Sequence, residues 1–286
     1  MLAHPEIAAA AHTTPAMPLA WTMRRMLLIL CPMVLVLSGC QGAGLQLSDD
    51  SIFNELFGTP QDNPAELARD PYDPDARYRG TVRLTVELLE PDDRILDIFR
   101  ANLVDDDPSV RAAAARGLAT HGVSADGALL ASALDDPEPI VRRAAALGLQ
   151  RIHEPSATAR LVQLIDTVNE PDQNVRVEAA LALGQYPQND VVVGLLTSLR
   201  SDTEQSLGVH AAVVRSLELL TGQDFGLDFI AWQQWIDTNR DWFAGQQEYT
   251  YPVFQRRRAW FEYLPWLPLP PNEESSTPVG LTRTPR

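Results

Sequence analysis

Val141-Arg142-Arg143-Ala144-Ala145-Ala146-Leu147-Gly148-Leu149 decides the fold, because its pattern returns on both sides of it. A small or apolar residue is followed by Arg, then by small residues four and five places on, then by Leu at the eighth place. Further copies read Ala76/Arg77/Gly80/Thr81/Leu84, Val110/Arg111/Ala114/Ala115/Leu118, Val175/Arg176/Ala179/Ala180/Leu183 and Val209/His210/Val213/Val214/Leu217. The five starts lie 34, 31, 34 and 34 residues apart. A period in this range marks a stacked repeat, in which one supersecondary unit cannot bury its apolar face alone and needs neighbours on either side.

Each copy is punctuated in the same way. Asp73-Pro74, Asp107-Pro108 and Glu138-Pro139 stand just ahead of the key position, and Asp172 takes the same place without a proline. An acidic residue accepts orphan amide protons at a helix start, and proline at the first turn lacks a donor that would go unused there. Ahead of each cap lies another apolar-periodic segment: Ile95/Ile98/Phe99/Leu103, Leu129/Leu130/Leu134, Leu161/Leu164/Ile165/Val168 and Val191/Leu195/Leu196/Leu199. These are first helices, and the copies above are second helices, joined by short Asp- and Pro-rich turns. The alanine pairs combine the best helix propensity with room for close helix approach.

The Pro-x-Val-Arg-x-x-Ala-Ala-x-x-Leu pattern resembles the HEAT-repeat family in its short bacterial form, over residues 71–221. Tetratricopeptide and ankyrin repeats have similar periods, but their aromatic, glycine and Thr-Pro-Leu-His signatures are missing. The resemblance implies an all-α fold, a right-handed α-α superhelix (HEAT/ARM-like solenoid) of about five helix pairs. It also implies that Arg77, Arg111, Arg142 and Arg176 pair with turn carboxylates in a ladder between layers, with Asp73, Asp107, Glu138 and Asp172 as the expected partners. An exposed ladder would contribute only about 0–1 kcal/mol per pair and would set register more than stability. Runs such as Asp105-Asp106-Asp107 and Asp135-Asp136 recur at each turn, so they read as periodic helix caps rather than a calcium or acid–base site.

The ends of the chain differ from the array. Met23-Arg24-Arg25 is a short basic start, Met26 to Leu37 is an apolar run, and Leu37-Ser38-Gly39-Cys40 follows directly. The run is shorter than the roughly 20 residues a spanning helix needs, and the order of parts reads as an export signal. The tetrapeptide resembles the lipobox of bacterial lipoproteins, which implies acylation of Cys40 and removal of what precedes it. Residues 1–40 are thus a lipoprotein signal peptide, with Met23 as an alternative start. Gln41, rather than Asp, follows the lipid cysteine, so the expected location is the cell envelope, facing the periplasm, at the outer membrane.

Residues 41–70 read as a tether and N-terminal cap, with Ile52, Phe53, Leu56 and Phe57 on one stripe. Residues 222–245 resemble the Leu-Thr-Gly helix cap of some bacterial HEAT arrays, with Phe229, Trp232 and Ile236 on one helical face. Residues 246–286 form an aromatic, proline-rich tail whose composition favours extended, polyproline-like backbone.

Composition narrows the function. A net charge of −15 opposes a nucleic-acid backbone, so no nucleic-acid partner is expected. All 23 basic residues are Arg. Cys31 and Cys40 both precede the body of the chain, which leaves it without a disulfide framework or a cysteine-based zinc site. His4 and His12 precede the lipobox, His121 and His153 stand at helix exits, and His210 replaces the ladder arginine; none has a metal partner at useful spacing. Ser38 and Ser201 lack a glycine elbow, and no phosphate-binding glycine loop is present. The chain is therefore expected to be non-catalytic, with no cofactor and no metal.

The positions two and six places after the key residue vary freely between copies: Tyr78/Val82, Ala112/Arg116, Arg143/Leu147, Val177/Leu181 and Ala211/Arg215. In HEAT solenoids the second helices line the concave face, and the mixture of Arg with apolar side chains there suits a protein contact. Arg116, Arg143, Leu147, Val177, Leu181 and Arg215 are the candidate partner-binding residues of a lipid-anchored scaffold or adaptor. An alternative is an envelope glycan- or peptidoglycan-binding module that stacks sugars on Trp260, Tyr263 and Trp266 of the tail. A lyase-like enzyme is a third reading, since HEAT-like repeats also occur in bilin lyases and in a tRNA-modifying enzyme.

Overall fold

The computed structural model describes residues 63–87, 92–200, 207–254 and 273–281. Five helix pairs follow one another along it: α1 (Pro64–Leu67) with α2 (Pro74–Glu87), α3 (Asp93–Asn102) with α4 (Pro108–His121), and α5 (Gly127–Ala133) with α6 (Pro139–Arg151). Next come α7 (Thr158–Leu164) with α8 (Gln173–Leu183) and α9 (Asn189–Leu199) with α10 (Leu207–Thr221). A further helix, α11 (Phe229–Thr238), and two short strands, β1 (Tyr251–Phe254) and β2 (Glu273–Ser276), follow, and single 3-10 turns at Ser124–Asp126 and Pro155–Ala157 lead into α5 and α7. The fold is an all-α solenoid.

Second helices stack directly on one another in the order α2, α4, α6, α8, α10, and each first helix packs on its own partner. The alanine pairs account for this. Ala114, Ala115, Ala145, Ala146, Ala179 and Ala180 are all fully buried, and their single methyl groups let adjacent backbones approach. The first copy carries Gly80 in place of alanine because a Cβ there would meet the Ala68 amide nitrogen of the short α1. One apolar core runs from Ala68 to Ile236, with the largest side chains (Phe99, Tyr186, Trp232) wholly inside it.

The helix starts fall where the acids and prolines place them, with one exception in detail. Asp107 accepts from the amides of Ser109 and Val110, and Asp172 from those of Asn174 and Val175. Glu138 stands at the N-cap of α6 but makes no side-chain cap bond. Its extra methylene moves the carboxylate beyond the short loop geometry that Asp and Asn close.

Successive layers are also joined by buried polar side chains that reach one repeat along. Asn102 donates to the Ala68 carbonyl at 2.9 Å and to Thr81 Oγ1 at 2.8 Å. His121 Nε2 lies 2.8 Å from the Thr85 carbonyl, which can only accept, so that nitrogen carries the proton. Gln185 donates to the Leu149 carbonyl and Ser216 to that of Ala180, at 2.6 Å for the serine. His121 and His153 stand at helix exits as their positions suggested; His153 also stacks on Tyr186 at 4.8 Å and meets Gln185 through Nδ1 at 3.0 Å.

On α11, Trp232 and Ile236 turn into the core, with the Trp232 indole donating to the Gly226 carbonyl and Phe225 set edge-on against its ring. The chain then returns along the C-terminal ends of the second helices, whose last carbonyls have no partner within the helix. Gly222 adopts a left-handed φ of 71° at the end of α10, and its backbone touches that of Gly245 so closely that neither position admits a Cβ. From there the Gln247 amide donates to the Leu219 carbonyl of α10, and the Tyr249 hydroxyl donates to the Leu181 carbonyl of α8. Strands β1 and β2 pair antiparallel, Tyr251 with Ser276 through Phe254 with Glu273. Beyond β2, the Val279 amide donates to the Arg151 carbonyl at 2.7 Å while its own carbonyl accepts from His153, a single parallel bridge at the end of α6. The described parts of the tail are extended, and they are paired with each other and docked on the array. The pairing is non-local, and the proline-rich composition between the two strands carries no sign of it.

Tyr249 is 6% exposed, and burial pushes its hydroxyl pKa up. Tyr249→Phe, which removes only the bond to Leu181, is expected to cost about 1 kcal/mol, and Tyr249→Ala about 3–5 kcal/mol through the cavity it leaves. Urea midpoints of the two variants check the order.

Candidate functional site

Two surfaces carry the polar chemistry of the array: the turn edge, where the ladder arginines lie, and the outward face of the second helices.

At the turn edge Arg77, Arg111 and Arg142 are each met by a carboxylate of the following repeat, not by the acid at their own helix start. Arg77 donates through Nε and Nη2 to Asp105 at 2.7 and 2.9 Å, Arg111 to Asp136 at 2.7 and 3.0 Å, and Arg142 to Glu170 at 2.6 and 2.9 Å. The expected partners Asp73, Asp107, Glu138 and Asp172 are thereby corrected. Asp107 and Asp172 are occupied as helix caps, and Asp73 accepts from the Asp75 amide. Each rung acid has a second task, because Asp105 accepts the amide of Asp107, Asp136 that of Glu138 and Glu170 that of Asp172. The third nitrogen, Nη1, is spent on the chain's own turn: Arg111 donates to the carbonyls of Asp105 and Asp106, and Arg142 to those of Asp136 and Pro137.

The rungs are largely withdrawn from water. Side-chain exposures are 12% for Arg142 and 1% for Glu170, so the small value of an exposed pair does not apply. Burial alone would push the carboxyls of Asp105 and Asp136 up. The hydrogen bonds from Arg77 and Arg111, with those from the Asp107 and Glu138 amides, hold both below the ordinary value of 3.8. The hydrogen bonds that Arg77, Arg111 and Arg142 donate to Asp105, Asp136 and Glu170 in turn raise the pKa of the three arginines.

On the second-helix face the candidate residues separate into two groups. Arg116, Arg143, Leu147 and Arg215 are exposed, whereas Val177 and Leu181 are half-buried and pack against the core. Arg143 lies 3.5 Å from Glu178 on the next second helix, and Gln150 donates to the same carboxylate at 2.8 Å. Arg215 stands 3.6 Å from Glu218 on its own helix. Arg116 forms no ion pair among the described residues. It lines an open cavity of about 530 Å³ between α2 and α4, together with Tyr78, Val82, Ala112 and, from the start of α6, Ile140. Ala112 is buried; four of the five outward pairs named from the sequence place at least one exposed residue at the surface, the exception being Val177 and Leu181. Cys40, Trp260, Tyr263 and Trp266 lie outside the described residues. The cross-layer residues Asn102, Gln150, Gln185 and Ser216 went unnoticed in the sequence; only the spacing of Asn102, Gln185 and Ser216 from their partners, 34 or 36 residues, is close to the period of the array.

A family model described as HEAT repeats matches residues 93–170 and, overlapping, 127–218. The match over residues 93–218 supports a HEAT-repeat array and agrees with the helical solenoid; repeats of this kind suggest a helical-repeat scaffold. No curated protein matches the chain.

Arg142→Ala leaves Glu170 buried without its cation and is expected to destabilise the chain by about 3–5 kcal/mol, against about 0.5 kcal/mol or less for Arg143→Ala on the exposed face. Chemical denaturation separates the two. Because Asp105 and Asp136 titrate lower in the folded than in the unfolded chain, the unfolded state binds more protons as pH falls past the ordinary carboxylate value. The stability they contribute is therefore complete above that value and lost as pH drops through the folded pKa values. A urea midpoint followed from pH 6 downward should decline more shallowly in Asp136→Asn than in the parent.

Proposed function

We propose that the protein is a lipid-anchored, extracytoplasmic, non-catalytic scaffold that binds a protein partner on the second-helix face of its HEAT array. The observation that carries the reading is the cavity between α2 and α4. It joins exposed Tyr78 and Ile140, at 42% and 49% exposure, to an arginine without an ion-pair partner among the described residues. An aromatic and an aliphatic anchor beside an available guanidinium is the combination enriched where proteins meet. Asp75 and Asp107 rim the same cavity, so a matching partner brings an apolar side chain to the floor and an acidic group to Arg116 only.

Anchoring is supported by the basic start, apolar run and Leu-Ser-Gly-Cys sequence ending at Cys40. No described helix is long and apolar enough to cross a membrane. Gln41 directs the reading to the outer membrane, with the array in the periplasm.

A photo-crosslinker at position 116 in envelope fractions should yield one discrete adduct that Tyr78→Glu abolishes without lowering the melting temperature. The same adduct formed from position 129 on a first helix would refute the assignment of the face. Cys40→Ala is expected to move the protein from the membrane pellet to the soluble fraction; unchanged fractionation would refute the anchor.

A further inference from the structure

Just outside the ladder, neighbouring layers also meet through a pair of outer positions, one in the turn ahead of a second helix and one on the following first helix. In the turn after α5 and on α7 these are Asp135 and Arg160, with the arginine Nε 2.7 Å from Asp135 Oδ1. The Arg160 side chain is 31% exposed, so most of its stem is covered. The same two positions one layer earlier, 31 residues back in both cases, hold Val104 and Leu129. Neither can form the pair, and both stay in contact with water, at 82% and 39% exposure.

Val104 and Leu129 line a niche of about 290 Å³, with Leu103 and Ala133 as further apolar lining. It is below the usual size of a small-molecule site and suits one long side chain. The charge available around it is negative. Arg111 also lines it, but Asp136 takes that guanidinium. Asp135 lines it with a side chain that is 70% exposed although Arg160 meets it, and Asp106, two places after Val104, is exposed with a carboxylate unpaired among the described residues. Apolar walls with carboxylates close by fit a side chain that has an aliphatic stem and a cationic head.

We propose that this niche binds an arginine side chain of a protein partner, its stem against Val104 and Leu129 and its guanidinium at Asp135 and Asp106. Arg160 supplies the template, because at the equivalent place one layer on an arginine covers its stem and ends on a carboxylate. A guanidinium is more weakly hydrated than an ammonium and leaves water more readily beside apolar walls. The source of the side chain, a protein, rests on the scaffold reading. The residues belong to the turn edge rather than to the face of Tyr78 and Arg116, and the partner is a different one, so either assignment can fail alone.

The test uses the full chain with ¹³C-labelled valine methyl groups, the Val104 signals being assigned by their loss in Val104→Ala. The probe is the blocked tripeptide Ala-Arg-Ala, and the control is Ala-citrulline-Ala, which keeps the shape without the charge. The expected result is a saturable shift of Val104 with the arginine peptide, the exposed Val193 of α9 staying in place. Removing the charge as citrulline, or one of its partners in Asp135→Asn, should weaken the titration about two- to fivefold, the share of an exposed pair. Leu129→Arg, which supplies stem and head from the chain itself, should abolish it. A Val104 signal that does not move up to the solubility limit of the peptide would overturn the proposal, as would equal titration by the two peptides or a titration that survives Leu129→Arg. Free arginine binding as tightly as the blocked peptide would also overturn it, because the ligand would then be the small molecule.

Discussion

A guanidinium that leaves water is costly unless its edges are met, and at three of the ladder arginines meeting them ties neighbouring repeats together. At Arg77, Arg111 and Arg142 one nitrogen is satisfied by carbonyls of the arginine's own turn, and the opposite edge by a carboxylate 25 or 28 residues further on. The same carboxylate ties down the amide at the next helix start. A rung therefore joins two turns and a helix terminus at once, and a layer displaced by one residue would strand a buried charge. The alanine pairs allow the second helices to approach closely. The rungs determine where along their length they do so.

The helix pairs were legible in the sequence because several independent signals coincide at each one: an acid and a proline at the start, apolar residues at helical spacing, and small residues at fixed places. The rung partners were less so. Each turn offers two or three acids, and Asp105, Asp106 and Asp107 are of one residue type in adjacent places. Only the three-dimensional offset between layers selects Asp105 for the arginine and Asp107 for the helix cap. The strands Tyr251–Phe254 and Glu273–Ser276 were illegible for another reason, since neither has a period of its own and their partners are distant in the chain. On the candidate face, the free variation of the outward positions separated Arg116, Arg143 and Leu147 from the stacking residues. It did not distinguish them from Val177 and Leu181, whose half-burial depends on what packs over α8.

The two polar surfaces have different chemistry. At the turn edge, charges are withdrawn from solvent and matched in pairs, so their value is high and depends little on salt. On the second-helix face Arg143 and Arg215 are loosely held by glutamates, and Arg116 stands beside exposed aromatic and aliphatic side chains. Exposed charges of that kind influence the rate and specificity of encounter more than the stability of the protein that carries them. The acidic balance of the chain as a whole, −15, makes each such arginine a local exception to the surrounding field.

A stack of repeats in which each layer touches only its neighbours behaves like a zipper: its last layer can fray without disturbing the rest, and stability is a sum of local terms. The segment that leaves α11 alters this. Gln247 bonds to the end of α10, Tyr249 through its hydroxyl to α8, and Val279, in a separate described stretch, to the end of α6. Each of the last three repeats thus carries a bond from outside the stack, and a layer that opens must break it in addition to the contacts with its neighbours.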